Sequence, residues 1–241
     1  MRLEHDHSPE AIDRRLSAGP RVSYVRDWVY GGIDGAVTTF AIVAGVVGAD
    51  LSSGVALILG VANLVADGFS MAASNYSGTK AEHDDAERLR RIEERHIAIA
   101  PEGEREEIRQ IYAAKGFTGE DLERAVTVIT SDRKRWVDTM LAEEYGLAAA
   151  ERSPLGAAAS TFSAFLLCGA VPLVSFVAGT ERAFAWSVAL TAAVFFAIGA
   201  AKSRWSPAPW WRSGLETLAI GAGAAGFAYA IGYALRGLAA G

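Results

Sequence analysis

Apolar and polar residues fall into long separate blocks along this chain rather than alternating at short period. Crossing a hydrocarbon core of about 30 Å takes about 20 mostly apolar residues at about 1.5 Å rise each. Five segments meet that requirement, at 28–48, 51–75, 155–179, 183–201 and 214–235, the first two joined by a turn around Gly48-Ala49-Asp50. Residues 76 to 151 are polar and read as a water-exposed insert. The pattern predicts an all-α protein of five transmembrane helices, with a helical insert between the second and third. It divides the chain into a tail with spans one and two (1–75), the insert (76–151), and spans three to five (152–241). Residues 1–26 lack the continuous apolar core of a cleavable signal, so the first span is expected to anchor the chain.

Helix punctuation recurs inside the insert. Neither Pro nor Gly interrupts Thr79 to Ile99, so the helix of the second span is expected to run on until Pro101 stops it. A helix over about Glu102–Lys115 follows, with Gly116 as its C-terminal cap. Thr118 with Asp121 three residues on marks another N-terminus. Ser131 opens the last helix and Gly146 closes it, giving four helices with the extension and no strands.

Charge adds orientation and partners. The net charge is −5, and residues 76–151 hold 18 Asp plus Glu against 12 Lys plus Arg, so the insert carries the acidity. That balance argues against nucleic acid and for cations. Arg2, Arg14, Arg15, Arg21 and Arg26 crowd the N-terminal tail, and Lys202, Arg204 and Arg212 lie between spans four and five. The opposite side offers only Arg182 and Arg236. The excess of basic residues places the N-terminus and the insert in the cytosol and the C-terminus outside. With no eukaryotic targeting sequence evident, a bacterial inner (plasma) membrane is the expected location. The single cysteine, Cys168, excludes a disulfide within the chain and reads as a small buried side chain.

The spans hold acids, and a charge in hydrocarbon costs about 2.5–3.5 kcal/mol even on the lenient insertion scale. Asp34 lies six residues after Trp28, roughly 9 Å into the first span. Asn63, Asp67 and Met71 are spaced by four on one face of the second span. If that span leaves the core near Asn75, Asp67 lies about 12 Å deep and Met71 about 6 Å, with Asp34 between them in height. Two carboxylates, a thioether and an amide can line a path for a cation across the bilayer. Alternatively Asp34 buttresses neighbouring helix ends and Asn63 glues helices together.

In the insert, Glu93 with His96, Glu104 with Glu107, and Met140 with Glu144 each share a helix face. Converging from three helices, these oxygen, imidazole and thioether groups suit iron, manganese or zinc. The competing reading is a solvated face of Glu and Arg in i,i+4 ion pairs. Asp84, Asp85, Glu87, Glu94 and Glu106 are assigned to that surface. His5-Asp6-His7, near the terminus, reads as incidental.

The blocks GGIDGAVTTFAIVAG in the first span, DGFSMAASNY ending the second and WVDTMLAEEYGL before the third, in this order around a helical insert, resemble the vacuolar iron transporter (VIT) family. The resemblance implies a homodimer that moves divalent metal, chiefly Fe²⁺, out of the cytosol in exchange for protons, and so a transporter rather than an enzyme. It implies that Asp34 and Met71 line the route at the dimer interface. Glu93, Glu104, Glu107, Met140 and Glu144 match the family's metal-collecting positions in the insert. This chain departs from the pattern at Asn63, where relatives can carry a glutamate; an amide exchanges no proton near neutral pH. Leu141 stands where a second methionine can occur, and His96 where a glutamate can, which leaves Fe²⁺, Mn²⁺ and Zn²⁺ all open. The expectation is an exporter whose insert captures Fe²⁺ or Mn²⁺ and passes it to Met71, Asp67 and Asp34. A membrane-anchored metal buffer or sensor is the rival. A ferritin-like oxidase ranks below both, because it needs two Glu-x-x-His motifs and the insert has one, Glu93 with His96.

Overall fold

A computed structural model describes residues 6–19, 22–147 and 152–238. Every regular element among them is helical. In chain order they are α1 (Pro9–Ser17), α2 (Val25–Gly48), α3 (Ser53–Ile99), α4 (Pro101–Ala114), α5 (Gly119–Thr130), α6 (Arg133–Glu143), α7 (Pro154–Gly169), α8 (Val171–Val177), α9 (Ala183–Lys202) and α10 (Trp210–Leu235). Helices α2, α3, α9 and α10 are each long and apolar enough to cross a membrane. The third expected span is broken: α7 and α8 qualify only as a pair, bent by 41°. Pro172 explains the break, since it lacks the amide that a continuous helix needs. Its carbonyl accepts a hydrogen bond from Ser187 Oγ at 2.7 Å, which keeps this irregular backbone satisfied inside an apolar setting.

The chain separates into two compact units. Ser23–Gly78 and Ser153–Gly241 form the apolar unit; Met1–Val22 and Thr79–Arg152 form the polar one. In the apolar unit α2 is held by backbone contact more than by large side chains. A Cβ added at Gly31 would sit 2.2 Å from the Thr161 carbonyl oxygen, and one at Gly35 would sit 2.4 Å from that of Phe165, so α7 lies directly on this face. Toward its other end, a Cβ at Gly48 would meet the Tyr229 carbonyl of α10 at 2.5 Å. Small residues are the means of helix association where lipid removes the hydrophobic drive. Phe40, Val43, Leu64, Phe165, Leu173 and Phe176 fill the remaining volume. Asn75 Nδ2 adds a polar tie, donating to Thr161 Oγ1 at 2.7 Å and to Asp27 Oδ1 at 3.0 Å.

Gly35→Val is therefore expected to force α2 and α7 apart. Overpacking costs about 1–3 kcal/mol, and more where the obstacle is backbone. The variant should melt well below the native protein or fail to fold, whereas Gly226→Ala, with nothing within 4 Å, should melt normally. Equal melting of the two would show that the packing at Gly35 is not tight.

In the polar unit α3 runs unbroken to Ile99, part of a 47-residue helix. Pro101 then begins α4 as well as ending α3, in the first-turn position where a missing amide does no harm. Gly116 follows α4 with φ +97°. Two cap expectations need correction. Thr118 occupies the N-cap of α5 in extended conformation, but its side chain makes no capping bond. The last helix is opened by Asp132 rather than Ser131: the Asp132 carboxylate accepts from the Arg135 amide at 2.7 Å, while Ser131 Oγ bonds back to the Val128 carbonyl and finishes α5. Helix α1 was not anticipated from the apolar pattern, because none of its residues is buried. Ile97, Ile108, Val126, Ile129, Trp136, Val137, Met140 and Leu141 form this unit's core.

Candidate functional site

Two carboxylates are buried in the polar unit. Glu93, in the last part of α3, is 1% exposed, and Glu104, in the first turn of α4, is 5% exposed. The reversal at Ala100 (φ −132°, ψ 53°) turns the chain so that these two helix ends supply one group. His96 Nδ1 lies 3.4 Å from Glu104 Oε1 and 3.9 Å from Glu93 Oε1. One ligand atom from each of the three residues lies within 4.8 Å of the others.

The electrostatics of this group are incomplete as they stand. Neither carboxylate is ion-paired with Lys or Arg among the described residues. Glu93 Oε2 and Glu104 Oε2 are buried without a hydrogen-bond partner among the described residues. An ionised, unpaired oxygen in such a place is costly. Burial, and then the charges of Glu107, Glu93 and Glu144, push the Glu104 carboxyl up to about 7. Burial followed by Glu93 and Glu107 likewise raises Glu144. A divalent cation would relieve all of these strains at once, and oxygen and imidazole donors fit iron, manganese or zinc.

Of the five acids assigned to a solvated face, Glu94 is exposed and the other four are ion-paired. Asp84 pairs with Lys80, Asp85 with Arg88, Glu87 with Arg91, and Glu106 with Arg109. Of the other candidates, Glu107 and Glu144 are exposed and act on Glu104 through charge. Met140 is fully buried in the apolar core. Tyr145 was not singled out in the sequence; its hydroxyl donates to Glu93 Oε1 at 3.0 Å. His5 of the terminal cluster lies outside the described residues, and Asp6 accepts from the amide and hydroxyl of Ser8.

A cation can bind this group only when Glu104 is ionised, so pH dependence follows from its position. Because its folded value lies above the ordinary 4.5, Glu104 favours the ion-free fold most below about 4.5 and progressively less as pH rises toward about 7. Metal binding should run the opposite way. Mn²⁺ affinity should rise about tenfold per pH unit up to about 7 and then level off, with one proton released per ion from Glu104. A titration series from pH 5 to 8 measures this, and a flat profile across that range would contradict it.

In the apolar unit, Asp34 on α2 and Asp67 on α3 are half-buried and within electrostatic reach of each other. Asn63 Nδ2 donates to Thr38 Oγ1 at 3.1 Å, and that hydroxyl donates to the Asp34 carbonyl at 2.9 Å. Asn63 thus ties α3 to α2 beside the two acids. Thr38 was overlooked in the sequence, although its spacing of four from Asp34 puts it on the same face. Met71, one turn beyond Asp67, packs at the edge of the core around Phe40 and Phe165.

The sequence profile of the VIT family matches residues 25–233 of this chain. A vacuolar iron transporter of Toxoplasma gondii is 36% identical over 193 residues, 75% of this chain and 64% of that protein. The chain therefore spans just under two thirds of that relative's length. Vacuolar iron transporter 2 of Oryza sativa is 31% identical over 232 residues, covering 95% of this chain and 93% of its own. Vacuolar iron transporter 1 of Arabidopsis thaliana is 31% identical over 231 residues, covering 94% and 89%.

Proposed function

The chain belongs to the VIT family, and from that premise we propose that it carries Fe²⁺ out of the cytosol across a membrane, in exchange for protons. The observation that carries this reading is that half-buried Asp34 and Asp67 stand on two membrane helices tied together beside Asp34 by the Asn63–Thr38 hydrogen bond of 3.1 Å. Two acids so arranged attract a divalent cation when ionised and release it when protonated. Asn63 holds no exchangeable proton, so proton coupling falls to the two aspartates. Met71 offers a soft ligand at the entrance to the path.

The acidic unit is the collector. Glu93, His96 and Glu104 form its centre, and Glu107, Met140 and Glu144 supply further charge and ligands. With imidazole in the set, Mn²⁺ and Zn²⁺ are competing cargoes for Fe²⁺. The transporter works as a homodimer, the N-terminus and the acidic unit on the cytosolic side and the C-terminus on the other. The sequence reading places it in a bacterial plasma membrane, and the relatives are named for the vacuole. Metal leaves the cytosol in either setting.

Uptake of Fe²⁺ and Mn²⁺ into proteoliposomes, with and without an inward-acidic pH gradient, tests the proposal. Flux that the gradient accelerates is the expected result. A wild-type protein that binds metal but carries none, with or without the gradient, would establish a membrane-anchored buffer or sensor instead.

A further inference from the structure

The buried carboxylate of Glu93 has unequal oxygens. Oε1 receives the Tyr145 hydroxyl at 3.0 Å, and Oε2 has no partner. The terminal torsion of a glutamate is broad and roughly two-fold, so an unrestrained carboxylate would rotate and offer either oxygen. One fixed hydrogen bond removes that freedom.

The chain is built to deliver this hydroxyl. Helix α6 ends at Glu143, Gly146 takes φ +67°, and the Leu147 amide donates to the Leu141 carbonyl at 3.0 Å. The chain is thereby turned at the end of the helix, and the Tyr145 ring packs against the core of the polar unit while its hydroxyl reaches a residue 52 positions earlier. The choice of donor also has a physical consequence. Lys or Arg would stabilise a buried carboxylate but would repel a divalent cation; a neutral phenol holds it without adding positive charge.

We propose that Tyr145 is the positioning residue of the metal site, holding Glu93 through Oε1 so that Oε2 is left for the cation shared with His96 and Glu104. The inference rests on the reading of the acidic unit as a metal collector and adds the group that orders it. Partners that orient a ligand without touching the metal typically contribute 10–100-fold to affinity. Tyr145→Phe, which keeps the ring and loses only the hydroxyl, should weaken Mn²⁺ and Zn²⁺ binding by about tenfold. The ion-free protein should melt a few degrees lower, because Glu93 Oε1 then joins Oε2 as a buried oxygen without a partner among the described residues.

The test is equilibrium binding of Mn²⁺ and Zn²⁺ to the full-length protein in detergent, for the wild type, Tyr145→Phe, Glu93→Gln and the double variant. The binding that Glu93→Gln weakens identifies the site. If Tyr145 acts through Glu93, adding Tyr145→Phe to Glu93→Gln should produce little further loss. An equal tenfold loss in both backgrounds would mean that the hydroxyl acts by packing, and the inference falls. Wild-type affinity in Tyr145→Phe, with Glu93→Gln still weakened, would overturn the role of Tyr145 and leave the metal site standing. Wild-type affinity in Glu93→Gln itself would overturn both.

Discussion

Asp34→Asn should lower metal flux in proteoliposomes by at least about 100-fold, equivalent to about 2.7 kcal/mol of lost interaction with the ion in transit. Asparagine keeps the shape and one oxygen of the side chain. On the proposed route it removes the negative charge that would compensate a dehydrated cation and the group that would take up the exchanged proton. The packing around position 34 should survive, because Gly31 and Gly35 make the close contacts with α7 while Asp34 is only half-buried. The variant should therefore melt at or above the native temperature, an unpaired acid in an apolar setting being unfavourable for the fold. Full flux in Asp34→Asn would show that the carboxylate supports helix packing and that the ion takes another route.

Glu93→Gln combined with Glu104→Gln carries the second large effect. Each substitution removes a buried carboxylate that, among the described residues, no Lys or Arg compensates, together with an oxygen that has no hydrogen-bond partner among them. Affinity of the polar unit for Mn²⁺ should fall by about 1,000-fold or more, since the ion loses both of its buried anionic ligands. The ion-free protein should melt higher than the native one, because a neutral amide is less costly to bury than an unpaired charge. That pairing of lost binding with gained stability is specific to a ligand site. Acids on a solvated face would change neither quantity, and equilibrium binding together with thermal unfolding distinguishes the two cases.

The separation between these acids and their neighbours could not be read along the chain. Glu87, Glu93, Glu104 and Glu106 all sit in helices among arginines; spacing alone gives Glu87, Glu93 and Glu106 an arginine three or four residues away, and only Glu104 lacks one. In the folded unit Glu87 and Glu106 take arginine partners on the surface, whereas Glu93 and Glu104 are buried beside His96, whose ring is half-exposed. Burial depends on which way α4 returns after Ala100, and that is a property of the reversal and of the Ile97, Ile108 and Met140 core. The same holds for Tyr145, whose role depends on the turn around Gly146. Asn63 was open between a path and a tie across helices. Its bond to Thr38 makes such a tie beside Asp34, a contact no spacing along one helix predicts.

What the sequence determined by itself was whatever follows from local and periodic chemistry. Apolar length required membrane-crossing helices, the run from Thr79 to Ile99 without Pro or Gly let α3 continue, and Gly116 and Gly146 follow helix ends. Helical spacing also put Glu93 with His96 and Asn63 with Asp67 and Met71 on common faces before any tertiary contact was known. Only the tertiary structure decided which of those faces are closed to water and which groups meet across elements. It broke the third span at Pro172, chose Asp132 over Ser131 as a cap, and left two carboxylate oxygens buried without a partner. Those outcomes rest on contacts between residues distant in the chain, where backbone approach, desolvation and charge act together, and no local pattern encodes such a sum.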